Sequence, residues 1–392
     1  MSDIYLKQED AYFLQSEDAK YILSLLRRYH SESYFVGGCV RNAVMGLSQS
    51  SDDIDIATAL KPDDVIKTAK AHGIYYVPTG LKHGTITLIY NERQFEVTTF
   101  RSDVKTDGRH AEVQFEADYK QDAYRRDFTI NAIYCDGDGI LKSPVGGIED
   151  AHCREVRFIG NAEDRIKEDY LRILRYYRFI SYFGTPDDVH NVSKTIKKLL
   201  VDMRRPATER NITELRKTLH GAYQLDALNL MEDYGVFEAF FGTTSNVKKY
   251  QAILQKTARD AEDIPFSLKI ALLCDFSASD DWKSFFKLTR QESKAIDQLR
   301  QLCTLLSQSC DIYEQLSYKY DYDLNIYNIA VENLAYNQTL SEEDAEMLIG
   351  QILPYIPFNI QDTIKEGFKG KTIKEEYIKR RLNFLKETLS KA

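Results

Sequence analysis

SDDIDIAT, residues 51–58, decides how the first half of this chain folds. A β-strand turns successive side chains to opposite faces, so Asp53 and Asp55 share one face while Ile54 and Ile56 share the other. One face is apolar and the other doubly negative. Two like charges about 7 Å apart along a strand repel unless a cation lies between them, which points to a divalent metal site. The plainer alternative is a half-buried edge strand with solvated carboxylates.

Working outward from that strand, Ser16 followed by EDAKYILSLLRRYH reads as a capped helix, acidic in its first turn and basic near its end. A short strand, SYFVGG, comes next. The pattern then predicts a helix from about Val40 to Gly46, a strand over 53–57, a helix over 62–72 opened by Pro62, and strands near 74–78, 84–90 and 94–100. Together these make a small mixed sheet with helices against it, all within the first 140 residues. Residues 101–121 are polar with weak periodicity and read as a long mobile loop, a length more often functional than idle. From about Glu149 strand signals nearly vanish and helical spacing continues to the end. Turn residues cluster at 143–147, 241–246 and 336–344, which sets soft domain boundaries there.

The 392 residues are too many for one ordinary core. No apolar run approaches the roughly 18 residues of a membrane span, and the N-terminus MSDIYLKQED lacks a basic stretch followed by an apolar one, so the cytoplasm is expected. Six cysteines without a CxxC pair, and seven histidines without HExxH, exclude a zinc ribbon, a disulfide framework and a histidine metal site. Any metal is then held by carboxylates, which favours magnesium or manganese over zinc. The net charge of −8 is unevenly spread: residues 151–220 hold 15 basic and 10 acidic side chains, and residues 365–392 hold 9 and 4. Two basic segments on an acidic protein suit a phosphate backbone, or simply form solvated helix faces.

Four further stretches carry chemistry. In YFVGGCVRN, Gly37 and Gly38 end a strand, so backbone N–H groups can approach an anion. The following helix start and Arg41 add positive charge suited to a triphosphate. On RQFEVTTF, Glu96 is placed to join Asp53 and Asp55 as a third acid for phosphoryl transfer. YRRDFTINAIY sets Arg125, Arg126 and Asp127 at a helix start whose inner turn carries Asn131, giving cations for phosphate and an amide for a ribose hydroxyl; a surface ion cluster with a capping Asp is the alternative. In EDYLRILR, residues 168–175, Asp169 and Arg172 are three apart on one helix face, with Arg175 further along it. A carboxylate accepts from an exocyclic amine and a guanidinium donates to an unprotonated ring nitrogen. Such a pair accepts cytosine and adenine and rejects uracil and guanine. An i,i+3 salt bridge is the alternative.

Taken in order, GGCVRN, DDIDIAT, TGLKHGTITLI, FEVTTFR, DGRHAEV, RRDFTINA, GGIED, RFIG, EDYLRILRYYRF and ERNITELRKTL resemble the class II tRNA nucleotidyltransferases, the CCA-adding enzymes, densely over residues 34–220. The resemblance implies an α+β chain: a polymerase β-like nucleotidyltransferase head (1–142), then an all-α neck (143–222), body (223–335) and tail (336–392). It implies that Asp53 and Asp55 ligate catalytic Mg²⁺ or Mn²⁺ with Glu96 as third acid. Gly37, Gly38 and Arg41 would hold the triphosphate. Arg125, Arg126, Asp127 and Asn131 would meet ribose and phosphates, and Asp169 and Arg172, with Arg175 beside them, would read the base. The expected substrates are CTP, ATP and the acceptor arm of tRNA, with no membrane partner. Asn42 and Ser143 depart from the family's usual Asp. Bacterial poly(A) polymerases share the head, but TGLKHGTITLIYNERQFEVTTFR looks like the CCA type. DGRHAEV argues against a CC-only enzyme and leaves an A-only one open. An inactive RNA-binding relative is expected to have lost a carboxylate, and all three are present.

Overall fold

The computed structural model describes residues 4–30, 32–49, 53–107, 110–115, 118–203, 206–257, 264–274, 285–309, 311–351, 353, 357 and 359–389. The chain divides into two compact units, Met1–Val236 and Phe237–Ala392.

In the first unit the strands are β1 (Ile4–Tyr5), β2 (Ser33–Val36), β3 (Ile54–Thr58), β4 (Tyr75–Gly80), β5 (Thr85–Tyr90), β6 (Arg93–Thr99), β7 (Ser102–Asp107), β8 (His110–Gln114), β9 (Tyr134–Cys135) and β10 (Ile140–Lys142). Eight form one sheet in the order β1-β10-β9-β2-β3-β6-β5-β4, and β7 pairs with β8 in a separate hairpin. β3 runs parallel to β6 and antiparallel to β2, so the sheet is mixed. It lies inside the sheet with partners on both sides, which removes the edge-strand alternative for its acids.

The helices of this unit are α1 (Tyr12–Gln15), α2 (Glu17–Tyr29), α3 (Gly38–Val44), α4 (Pro62–Ala71), α5 (Tyr119–Arg125), α6 (Gly147–Cys153), α7 (Ala162–Glu168), α8 (Leu171–Phe183), α9 (Val189–Leu199), α10 (Thr208–Thr218) and α11 (Gln224–Asp233). The Ser16 side chain accepts from Ala19 N and caps α2, as its acids and basic end predict. α2 buries Ile22, Leu23, Leu25 and Leu26, and beside it Phe13 of α1 meets Phe35 of β2 with ring centroids 4.7 Å apart. The opposite face of the sheet carries a cluster of Tyr34, Val36, Ala57, Phe100, Ala123 and Tyr134. Asp55 lies one strand repeat before Ala57, so its carboxylate emerges at the end of this apolar cluster.

Three sequence expectations are corrected. Residues 101–121 are not a loop: β7, β8 and the start of α5 occupy them, with 108–109 and 116–117 outside the described residues. Alternation in SDVKTD and HAEVQ is broken by charges, so the period-2 signal was masked. No helix follows the RRD stretch, because Arg125 ends α5 and Thr129–Asn131 make a single 3-10 turn before β9. Asp169 and Arg172 do not share one helix. α7 stops at Glu168, Asp169 is extended (φ −151°, ψ 106°), and α8 begins at Leu171.

Every element of the second unit from Val247 onward is helical among the described residues, so the mixed sheet is followed by a helical remainder. Its long helices include Arg290–Gln308 and Lys371–Leu389, and Arg381 on the latter, 1% exposed, pairs through both terminal nitrogens with the Asp321 carboxylate at 2.8 and 2.6 Å. Cys39, Cys135 and Cys274 are buried thiols, while Cys153 is exposed. No helix among the described residues is long and apolar enough to cross a membrane.

Candidate active site

Sheet register builds the site. Val36 pairs with Asp55, so the chain leaves β2 at Gly37 beside that carboxylate. Gly37 has φ +75°, and a Cβ there would stand 3.2 Å from Asp55 Oδ2, so both backbone and space require glycine. On the other side Asp55 pairs with Glu96 in the parallel register, which sets the two acids side by side on one face. Ile54 and Ile56 are buried beneath, while Asp53 and Glu96 are exposed and Asp55 half-buried. Burial, then Glu96, pushes the Asp55 carboxyl up to about 7; Arg126 opposes, Asp53 adds to the rise, and Arg41 opposes again. Among the described residues no group of three or more His, Cys, Asp or Glu side chains stands in metal-binding geometry, so the three acids are neighbours without a closed cage.

Arg41 is held from several sides. Its Nη1 donates to Asn131 Oδ1 at 2.7 Å, its Nε and Nη2 donate to Asn42 Oδ1 at 3.2 and 2.8 Å, and its guanidinium lies 5.2 and 5.1 Å from the rings of Phe179 and Phe183. α3 has only seven residues, so this fixed fork, more than a helix dipole, supplies positive charge.

The RRD stretch is knitted into the protein. Arg125 Nε donates to Asp122 Oδ1 at 2.7 Å, and Arg126 Nη2 to Asp122 Oδ2 at 2.9 Å, where Tyr134 also donates at 2.8 Å. Burial alone would raise the Asp122 carboxyl, but Arg126 and Arg125 overcome it and bring it down to about 2. Asp127 accepts from Phe128 N and Asn131 Nδ2 through Oδ1, and from Arg175 Nε at 2.6 Å through Oδ2. Burial opposes its charge, yet Arg175 and Asn131 hold it well below the usual carboxylate range. Asp127 and Asn131 thus link Arg41 to α8.

The base-reading candidates do not pair with each other. Arg172 Nη1 donates to Glu168 Oε2 at 2.6 Å and to the Arg165 carbonyl at 2.8 Å. Asp169 accepts from Leu171 N and from Arg210 Nη2. The simple i,i+3 salt bridge is therefore not what these residues form. Arg165 Nη2 donates to the carbonyls of Arg125 and Arg126, both at 2.6 Å, and so joins α7 to the end of α5.

All of the residues singled out by sequence line one cavity of about 800 Å³: Asp53, Asp55, Glu96, Gly37, Gly38, Arg41, Arg125, Arg126, Asp127, Asn131, Asp169, Arg172 and Arg175. Sequence reasoning missed Glu168, Arg178, Arg210 and Lys217, which line it too. Glu168 was findable, since it stands at i−4 from Arg172; Arg210 comes from α10, within ERNITELRKTL, but no local pattern ties it to Asp169. Nine cationic side chains against six carboxylates leave the lining formally positive in a chain of net charge −8. Such a concentration of positive field attracts polyanions.

Residues 33–157 match the family described as Poly A polymerase head domain. Over 95% of its length the chain is 32% identical to the CCA-adding enzyme of Staphylococcus saprophyticus, covering 92% of that relative. It is 36% identical, over 66% of this chain, to the mitochondrial CCA tRNA nucleotidyltransferase 1 of Mus musculus, and spans about 64% of that relative's length. Among solved structures it resembles the Bacillus stearothermophilus CCA-adding enzyme in complex with CTP, with TM-score 0.63 and 25% identity over 95% of this chain and 93% of that one. A CCA-adding enzyme in complex with ATP, 21% identical, shares the fold with TM-score 0.69 over 98% of this chain and 95% of that one.

Proposed function

The chain belongs to the family of CCA-adding enzymes, and from that premise we propose that it adds C, C and A in turn to the 3′ end of tRNA from CTP and ATP. The tRNA 3′ hydroxyl attacks the α-phosphorus, the bond to the bridging oxygen of the β-phosphate breaks, and pyrophosphate leaves. The observation that carries this reading is one cavity in which Asp53, Asp55 and Glu96 stand with Arg41, Asp169 and Arg172.

Enzymes of this family generally use a divalent metal. The donors present fit a hard cation: all are carboxylate oxygens, and burial with neighbouring acids leaves Asp55 short of positive charge. Asp53 and Asp55, with Glu96 beside them, would hold Mg²⁺ or Mn²⁺. When bound, that ion supplies charge that activates a hydroxyl and offsets the negative charge of the leaving pyrophosphate.

The chain's own groups do the rest. Backbone N–H groups at Gly37 and Gly38, with Arg41, bind the triphosphate; Arg125 and Arg126 add positive charge where Asp122 fixes them. Asn131 and Asp127 position Arg41 and Arg175, which is how the RRDFTINA stretch serves the nucleotide. Asp169 and Arg172 read the base, each held open by a different partner. The basic residues of 151–220 and 365–392 grip the acceptor arm by shape and charge, because A-form major grooves are closed to side chains. The division into head (1–142), neck (143–222), body (223–335) and tail (336–392), and residence in the cytoplasm, belong to the same proposal.

The test uses purified protein with tRNA transcripts ending before CCA, after the first C and after CC, each with CTP, ATP or both. Full CCA addition predicts one C on the second transcript from CTP alone, one A on the third from ATP alone, and completion of the first only with both. Extension of the third transcript alone marks an A-only enzyme, and a long A tract marks a poly(A) polymerase.

A further inference from the structure

Asp169 and Arg172 lie three residues apart, one extended after α7 and the other in the first turn of α8, and they do not pair with each other. Asp169 Oδ1 accepts from Leu171 N at 3.0 Å and fixes the carboxylate against the start of α8. Oδ2 accepts from Arg210 Nη2 at 2.8 Å. Arg210 stands on α10, lines the same cavity, and keeps its side chain 34% exposed.

We propose that Arg210 is a positioning residue for base choice: it holds the Asp169 carboxylate away from Arg172, so that an incoming cytosine or adenine can bridge the two. The proposal rests on the base-reading role given above. A carboxylate oxygen has two acceptor sites, so Arg210 and an exocyclic amine can share Oδ2. Without Arg210, the Arg172 guanidinium can trade Glu168 for the freed carboxylate three residues away. Collapse would spend both groups on each other and leave neither for a base. Cytosine and adenine would lose their contacts, whereas uracil and guanine had none to lose, so discrimination falls.

The test compares Arg210→Gln, Arg210→Lys and Asp169→Ala with the parent chain. Steady-state kcat and KM are measured for C addition to tRNA lacking CCA, A addition to tRNA ending in CC, and misaddition from UTP. Arg210→Gln is expected to raise KM for CTP and ATP alike by about tenfold or more, the loss of one charge-assisted hydrogen bond. Preference for CTP over UTP falls by a similar factor, kcat at saturation stays within about threefold, and Arg210→Lys restores part of the preference because only one N–H is used. If Arg210→Gln keeps preference and KM while Asp169→Ala loses preference, the role of Arg210 is overturned and base reading by Asp169 stands. If Asp169→Ala keeps preference as well, base reading itself fails and the role of Arg210 goes with it. A drop in kcat or melting temperature with unchanged preference marks a merely structural arginine and also overturns the proposal.

Discussion

Asp55 and Glu96 are register partners across the parallel pair β3 and β6. The pairing brings to one face two acids that lie far apart in the chain, and it places Gly37 on the flank of Asp55 through the antiparallel neighbour β2. Such crowding of like charge costs stability unless a cation joins it. Asp53→Ala should therefore lower addition of both nucleotides by at least about a hundredfold, while filter binding still detects tRNA. Retained turnover would remove the metal assignment.

Asp55 also makes a stability prediction. Its folded value of about 7 lies above the model-peptide value of 3.8, so the protonated form favours the fold; that contribution is complete below pH 3.8 and is lost as pH rises through 7. Asp55→Asn should be inactive yet melt higher than the parent at pH 8 in the presence of a chelator, with the gap shrinking toward pH 4. An equal or lower melting temperature at pH 8 would show that the carboxylate is not under this load.

Asp122 behaves with the opposite sign. Its folded value of about 2 lies below 3.8, so its stabilisation is present above pH 3.8 and is lost as pH falls through 2. At pH 7 this amounts to about 2 kcal/mol. Urea unfolding of Asp122→Asn should show a deficit of that order at pH 7 and a smaller one at pH 3. A deficit that does not change with pH would assign the loss to packing.

Gly37→Ala places a Cβ at φ +75° and 3.2 Å from Asp55 Oδ2. With ψ −132° this is a conformation left almost wholly to glycine, so the strain costs about 1–3 kcal/mol, and the carboxylate must shift. Activity should fall more than stability does; measured kcat/KM and melting temperature falling in proportion would reduce Gly37 to a folding role.

Glu168 and Arg172 give a matched pair. Arg172→Ala should relax rejection of UTP while leaving some catalysis, and Glu168→Gln should act in the same direction more weakly, because it releases Arg172 without removing it. Competition between CTP and UTP reads both. Unchanged rejection in Arg172→Ala counts against base reading.

The strand acids, the GG turn and the cations Arg41, Arg125, Arg126, Arg172 and Arg175 were legible because each depends on local periodicity or on residue type; Arg178, Arg210 and Lys217 were not. Alternation sets Asp55 against Ile54 and Ile56, and β3 obeys it there, with Asp53 immediately before the strand. Register across β3 and β6 was suggested only as a possibility of neighbouring strands, and long-range pairing fixed it. The break between α7 and α8 was not legible, since 168–175 keeps helical spacing throughout while Asp169 turns out of the helix and accepts from Leu171 N. Nor was the hold of Arg210 on Asp169, which depends on how α10 packs on α8. Asp127 and Asn131 line the site as their motif implies, but their polar atoms are engaged by Arg175, Phe128 and Arg41.

The central claim is that Asp53 and Asp55 hold the ions under which nucleotides are joined. Diffraction from crystals soaked with CTP and Mn²⁺, collected at the manganese edge, tests it directly. Anomalous peaks are expected at coordination distance, about 2.1 Å for such hard cations, from oxygens of Asp53 and Asp55 and from the triphosphate. Peaks bound to the nucleotide alone, with both carboxylates out of reach, would contradict it.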